Sequence, residues 1–287
     1  MNKKSKVRIS VVIPTYNSWT TLKDCIASIQ KQTLTSIEIL VVDNGSSDNT
    51  SDKVRKKFPK VKLITLKKNS GVTGGRNKGI EYSNKNTDFI LFFDHDMVAD
   101  KKMIEELVKT AHLGKSIGIV TPKIYYADDK KRIWAAGTGI NLWTGQVLFR
   151  GGEDIGQFQN EEEVQVAPAV LLVKKEVIEK LQGFDDRYFA TYEDTDFCFR
   201  ASSYGWKVFY NPKWAITHLG GASSTREFPI LSEYKNVKLF YKKHYPKWQY
   251  PILRFFLKIG ALGRIVVLGT LRGKENAKIY AKAFSQA

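Results

Sequence analysis

A regular alternation in the first 120 residues limits what this chain can fold into. Short, mostly apolar runs are separated by stretches whose apolar residues recur three and four apart. Val7–Ile13, Ile37–Val42, Val61–Leu66, Phe89–Phe93 and Ile117–Val120 read as strands. Trp19–Gln32, a segment capped by Ser47 or Asp48 and ending at Lys57, Gly75–Asn84 and Met103–His112 read as helices. Strands joined through helices run parallel, because the crossover returns the chain to its starting edge. Strands without polar alternation are buried on both faces. The pattern predicts the α/β class, with a Rossmann-like, mostly parallel central sheet and helices on both faces.

Ligands of such sheets sit at the carboxyl ends of the strands. The first strand runs into Pro14, Thr15, Tyr16 and Asn17, the second into DNGSSDN from Asp43, and the fourth into Asp94-His95-Asp96. The third is followed by KKNSGVTGGRNKG. Four polar clusters should therefore meet on one sheet edge. From about residue 122 the alternation breaks into short strands and glycine-rich loops. An apolar strand (Val164–Val173), a short helix (Glu176–Leu181) and a helix over Thr191–Tyr204 with acids in its first turn are expected next. This divides the chain into residues 1–120, 121–225 and a basic, amphipathic helical tail over 226–287.

Charge separates the tail from the body. The chain has 46 basic and 29 acidic residues, a formal charge of +17. From Lys235 onward twelve basic residues face one acid, Glu275. A nearly balanced body with a basic tail argues against a uniform nucleic-acid coat and for a local anionic partner. Tyr250–Leu271 is too often interrupted by Arg254, Lys258 and Arg264 to span a bilayer. Those residues and Arg272 fall in one helical sector, as in a basic amphipathic helix lying in a membrane interface. The alternative is a helix packed on the body. Cys25 and Cys198 are too few for a disulfide framework and read as reduced thiols on helices. The basic start has an apolar run of only Ile9–Ile13, shorter than a signal-peptide core, so no export is expected.

Several residues could do chemistry. Asp94 and Asp96, two apart at a strand end, can face one hard cation, Mg2+ or Mn2+; the plain alternative is a capped turn. Asp43 can accept hydrogen bonds from a base or ribose edge, or cap its own turn. The glycines of NSGVTGGRNKG allow close backbone approach, and Arg76 suits a phosphate, though the segment is neither G-x-G-x-x-G nor a P-loop. Glu193-Asp194 begins a helix, where the dipole favours ionised carboxylates; the pair can cap the helix or take a proton from a hydroxyl. Asp196 reads as structural. Lone histidines are ordinarily structural, which covers His95, His112, His218 and His244, although His95 could meet a ligand through its backbone.

In this order and spacing, SVVIPTYN, EILVVDNGSSDNT, NSGVTGGRNKG, FILFFDHD, GFDDRYFATYEDTDFCFR and HLGG resemble a family 2 glycosyltransferase with the GT-A fold, over roughly Ile9 to Ser224. RGGEDIGQF and the tail HYPKW…LRFFLK are most similar to rhamnosyltransferase-like members. The resemblance implies transfer of a sugar from a nucleoside-diphosphate sugar to a saccharide or lipid-linked acceptor by a single inverting displacement. It implies that residues 1–120 are the nucleotide-sugar-binding half and residues 121–225 the acceptor-side half of one domain. It implies that Pro14, Thr15, Tyr16, Asn17 and Asp43 hold the base and ribose, and that Asn69, Gly71, Gly75 and Arg76 line the nucleotide and its phosphates. Asp94 and Asp96 would engage the ribose and a divalent cation, Asp194 would be the catalytic base beside Glu193, and His218 would approach the metal. It also implies a cytoplasmic enzyme, peripheral on the inner membrane face, whose tail meets an anionic surface and which binds no nucleic acid. Two departures, Gln182 in place of a common glycine and Pro168 where small residues are usual, bear on acceptor shape.

Rival readings differ in what they require. A sugar-phosphate nucleotidyltransferase would carry a glycine-rich loop after the first strand, where this chain has PTYNSWTT. A nucleic-acid binder would need a basic groove with interleaved aromatics, of which Tyr241, Tyr245, Trp248 and Tyr250 offer a weak version. A non-catalytic nucleotide-sugar binder would share the site but have no turnover.

Overall fold

The computed structural model describes residues 7–220, 227–272 and 274–286. The opening alternation is β1 (Ile9–Thr15), α1 (Trp19–Gln30), β2 (Ile37–Asp43), α2 (Thr50–Lys57), β3 (Lys62–Thr65), α3 (Gly71–Tyr82) and β4 (Phe89–Phe93). Then come β5 (Met97–Ala99), α4 (Met103–Ala111), β6 (Ile117–Tyr126), β7 (Arg132–Ala135), β8 (Thr138–Ile140), β9 (Val147–Phe149), β10 (Gly152–Glu153) and β11 (Glu162–Val164). The chain continues through β12 (Val170–Lys174), α5 (Lys175–Leu181), α6 (Glu193–Ser203), β13 (Lys207–His218), α7 (Glu227–His244), α8 (Gln249–Arg272) and α9 (Lys274–Gln286).

The central sheet runs β10-β7-β6-β12-β4-β1-β2-β3, with β13 attached to β6, β5 and β11. Pairs β1–β2, β1–β4 and β2–β3 are parallel. β12 lies antiparallel between β4 and β6, so β6 runs in the same direction as β4. The carboxyl ends of β1, β2, β4 and β6 therefore share one sheet edge. All seven residues of β1, including Ser10 and Thr15, and all five apolar residues of β4 are buried, as expected of strands covered on both faces.

Two glycines of α3 set how closely it approaches the sheet. A Cβ on Gly79 would stand 2.1 Å from Val12 Cγ1, and one on Gly75 would stand 2.8 Å from Pro14 Cβ. These two glycines let helix and strand approach closely. α3 also starts earlier than the sequence suggests, at Gly71, whose φ of +75° glycine tolerates best.

The expected strand Val164–Val173 is in fact two. β11 ends at Val164 and β12 begins at Val170, because Pro168 breaks the run and Ala169 turns left-handed at φ +60°. The helix expected from Thr191 begins at Glu193, since Thr191 and Tyr192 are both left-handed. Cys25 and Cys198 are buried free thiols on α1 and α6.

The chain forms two compact units. One comprises Met1–Gly139, Phe149–Phe189 and Glu193–Ser223, and the other Ile140–Leu148, Ala190–Tyr192 and Ser224–Ala287. In the second, Tyr234, Ala261 and Ala283 form a small core, and Asn236 Nδ2 donates to the carbonyls of Ala190 (2.7 Å) and Thr191 (3.0 Å). α8 buries Leu253 and Ala261 but exposes Phe255, Ile259, Leu262 and Val266 along one stripe. Among the described residues no helix is long and apolar enough to cross a membrane.

Candidate active site

β4 ends at Phe93 and the chain leaves the sheet at Asp94. It turns at once into β5, which pairs with β13 so that Met97 stands opposite His218. That register delivers His218 to Asp96, Nε2 to Oδ2, at 3.1 Å. Burial alone would raise the Asp96 pKa. The His218 hydrogen bond and the nearby imidazoles of His95 and His218 outweigh it and hold the carboxyl below its usual range. His95 Nδ1 meets Thr21 Oγ1 at 3.1 Å.

β12 leads to the acids that begin α6. Val170 pairs with Phe93, so Ala169 and Asp94 leave the sheet side by side. The Ala169 amide donates to Asp194 Oδ2 at 3.4 Å, and the Thr195 amide to Asp194 Oδ1 at 2.7 Å. A left-handed alanine costs roughly 1–2 kcal/mol, and here it aims an N–H at a carboxylate. The first turn of α6 adds the favourable end of its dipole.

Arg76 joins these groups. Its side chain has no exposed surface; Nη2 lies 3.0 Å from Asp94 Oδ1 and Nη1 3.3 Å from Glu193 Oε1. The guanidinium also covers the Phe184 ring at 5.3 Å. Burial works against its charge, and Asp94, Glu193 and Asp194 more than restore it. Arg76, expected to line the diphosphate, here places its fork on two carboxylates.

Glu193 and Asp194 differ in access. Glu193 is buried and its Oε2 has no hydrogen-bond partner among the described residues, whereas Asp194 is partly exposed. Burial, then the neighbouring Asp194, push the Glu193 pKa up to about 7 against the pull of Arg76. Burial also raises Asp194, although Arg76 and the Thr195 amide oppose it.

The other edge residues fall into two groups. Tyr16 and Asn17 are exposed beyond β1; Asn17, at φ +48°, is tied to the β2 loop by its N–H to Ser46 Oγ (2.8 Å) and by the Ser47 N–H to its Oδ1 (2.8 Å). Asn69, also exposed, accepts the Gly71 N–H at 2.9 Å. Pro14, Thr15 and Gly75 are buried beneath them. Asp43 is fully buried and accepts from the Ser46 amide at 2.9 Å and from the Ser51 hydroxyl, the turn-capping alternative. Asp196 is buried and bound by Arg200 at 2.8 Å.

Asp94 and Asp96 offer hard oxygen donors at one strand end, the type Mg2+ and Mn2+ prefer. Among the described residues no group of three His, Cys, Asp or Glu is arranged to hold a metal ion. His218 spends Nε2 on Asp96. This donor set fits a cation that takes most of its oxygens from a phosphorylated ligand.

Sequence reasoning did not find Ala169 or Trp134. Ala169 was signalled only by the proline before it. Trp134, whose ring stands edge-on to His218 at 4.8 Å, carried no motif.

A Rossmann-like half with a D-x-D turn at the end of its fourth strand, and a second acidic pair gathered to the same edge, defines a glycosyltransferase of the GT-A type. The glycosyl transferase family 2 model matches residues 10–182, and the chain belongs to that family. Among similar proteins, the dTDP-rhamnosyl transferase RfbF of Shigella flexneri is 28% identical over 76% of this chain and 71% of its own length. The N-acetylglucosaminyl-diphospho-decaprenol L-rhamnosyltransferase of Mycobacterium tuberculosis is 23% identical over 94% of this chain and 96% of its own. The mannosyltransferase PcManGT of Pyrobaculum calidifontis, solved with GDP-Man and Mn2+, shares the fold at a TM-score of 0.62 and 15% identity, over 99% of this chain and 86% of its own.

Proposed function

We propose that the protein is an inverting, metal-dependent transferase. It moves a hexose or deoxyhexose from a nucleoside-diphosphate sugar to a hydroxyl of a lipid-linked or cell-surface saccharide. One observation carries this reading: Asp194, partly exposed and oriented by two backbone amides, stands at the edge where Asp94 emerges. In the displacement the acceptor oxygen bonds to the anomeric carbon, the bond to the diphosphate breaks, and the acceptor proton passes to Asp194. Pro14, Thr15, Tyr16, Asn17 and Asp43 shape the base and ribose side, and Asn69, Gly71 and Gly75 the diphosphate loop. Asp94 and Asp96 would hold the cation, which when bound neutralises charge on the leaving diphosphate. Arg76 positions Asp94 and Glu193 from behind, and His218 positions Asp96.

The α8 stripe supports attachment to an anionic membrane, on the cytoplasmic face if the acceptor is a polyprenyl diphosphate like that named for the mycobacterial relative. The apolar residues enter the interface, while each nearby Lys or Arg adds about 1 kcal/mol of attraction to acidic headgroups.

The test is a panel of nucleotide sugars, with rhamnosyl donors included, assayed with Mg2+ or Mn2+. Release of nucleoside diphosphate supports the reading. Release of pyrophosphate favours a nucleotidyltransferase, and binding of a donor without turnover favours a non-catalytic binder.

A further inference from the structure

A concavity of about 350 Å³ opens in the same unit, beyond β12 from the D-x-D turn. Its walls are Tyr126 at the end of β6, Arg132, Ile133 and Trp134 of β7, and Gly151 and Gly152. Sheet order fixes its place: β4 separates it from the loops of β1, β2 and β3, where a nucleotide is expected. β6 runs with β4, so Tyr126 lies at the edge where Asp94 emerges. Continuing the β12–β6 register puts Lys123 level with Ala169, and Tyr126 three residues further on, about 10 Å. The cavity is two contacts from the D-x-D turn, since Trp134 meets His218 at 4.8 Å and His218 meets Asp96 at 3.1 Å.

Its chemistry is specific. The Arg132 guanidinium stacks over Tyr126 at 5.0 Å, which limits its freedom and leaves its planar donors at the cavity. A Cβ on Gly151 would stand 2.7 Å from the Ile133 carbonyl oxygen, so glycine lets the loop close against β7. Gly152 has nothing within 4 Å of a built Cβ, so that side stays open. Aromatic rings offer flat apolar surface to the C–H face of a pyranose, and a guanidinium donates to its hydroxyls. We propose that this cavity binds a pyranose ring of the acceptor saccharide, with Trp134 and Tyr126 as its aromatic walls and Arg132 as its polar anchor. This rests on the glycosyltransferase reading and adds the acceptor site to it.

The test is saturation-transfer NMR on the full chain with the methyl pyranosides of glucose, galactose, mannose, rhamnose and N-acetylglucosamine. Wild type should show transfer to at least one. Arg132→Ala and Trp134→Ala should weaken it about tenfold or more, as expected for loss of a charged donor or an aromatic wall. Arg132 is exposed, so Arg132→Ala keeps the test decisive if Trp134→Ala does not fold. Binding of none of the five by wild type, or undiminished binding by Arg132→Ala, overturns the proposal. Calorimetry of UDP, dTDP and GDP with Mn2+ on the same wild-type sample separates the two failures. If nucleotide binds and no pyranoside does, only the cavity assignment falls; if neither binds, the glycosyltransferase reading falls as well.

Discussion

Arg76 Nη2 lies 3.0 Å from Asp94 Oδ1, and the arginine side chain has no contact with solvent. The same guanidinium reaches Glu193 at 3.3 Å, so one buried cation ties the end of β4 to the start of α6. Removing one partner of such a network leaves buried charge uncompensated and costs about 3–5 kcal/mol. Arg76→Ala should lower stability by that amount in urea melts, and Arg76→Lys should not restore it, because an ammonium lacks the fork. A wild-type midpoint and slope for Arg76→Ala would refute the cross-link.

Asp194→Asn keeps the shape of the side chain and removes its basicity. Donor affinity should change little by calorimetry, while kcat falls by roughly 10²–10⁴. Turnover at the wild-type rate would remove Asp194 from the role of base.

The acid limb of activity should lie higher than for an ordinary carboxylate. A base works ionised, and burial raises the pKa of both Glu193, to about 7, and Asp194. As pH falls, Asp194 takes up its proton above the ordinary carboxylate range and kcat should decline. Asp194→Asn should abolish this limb together with the activity. A wild-type pH–kcat profile whose acid limb lies at or below the ordinary carboxylate range would contradict this.

Two glycine substitutions should act in opposite directions. Gly79→Ala places a methyl 2.1 Å from Val12 Cγ1 and should cost about 1–3 kcal/mol through overpacking. Gly263→Ala, inside α8 with nothing within 4 Å of a built Cβ, should stabilise by roughly 0.5–1 kcal/mol through helix propensity. Denaturant titration of both variants checks the signs.

Phe255→Asp combined with Ile259→Asp alters two exposed side chains of α8 and should leave the fold intact. Each apolar group kept from the interface forfeits about 1.5–3 kcal/mol. Cosedimentation with vesicles of phosphatidylglycerol and phosphatidylcholine should drop sharply. Full sedimentation of the double variant would show that this stripe is not the membrane contact.

The strand–helix alternation was readable because burial keeps β1, β2 and β4 mostly apolar; Phe89–Phe93 matches its expected ends. The edge residues followed from where those runs stopped. Long-range partners did not. Arginine in a glycine-rich loop suits a phosphate by type, and only the fold shows that Asp94 and Glu193 occupy it. Val164–Val173 looks continuous because apolar composition says nothing of φ, so the left-handed Ala169 amide beside Asp194 was hidden. A helical tail over 226–287 was legible, but its division into α7, α8 and α9 was not; with Lys and Tyr scattered through α7 and α9, their apolar stripes are weak in sequence.

β4 has a parallel neighbour on one side and an antiparallel one on the other. The loops on its two sides therefore come from separate stretches of polypeptide, residues 14–76 and 126–169. A lineage built on this plan can rewrite one bank of the crevice by insertion or drift while the opposite bank keeps its shape. Swapping the second stretch between relatives is accordingly the natural way to graft a new preference onto an inherited one.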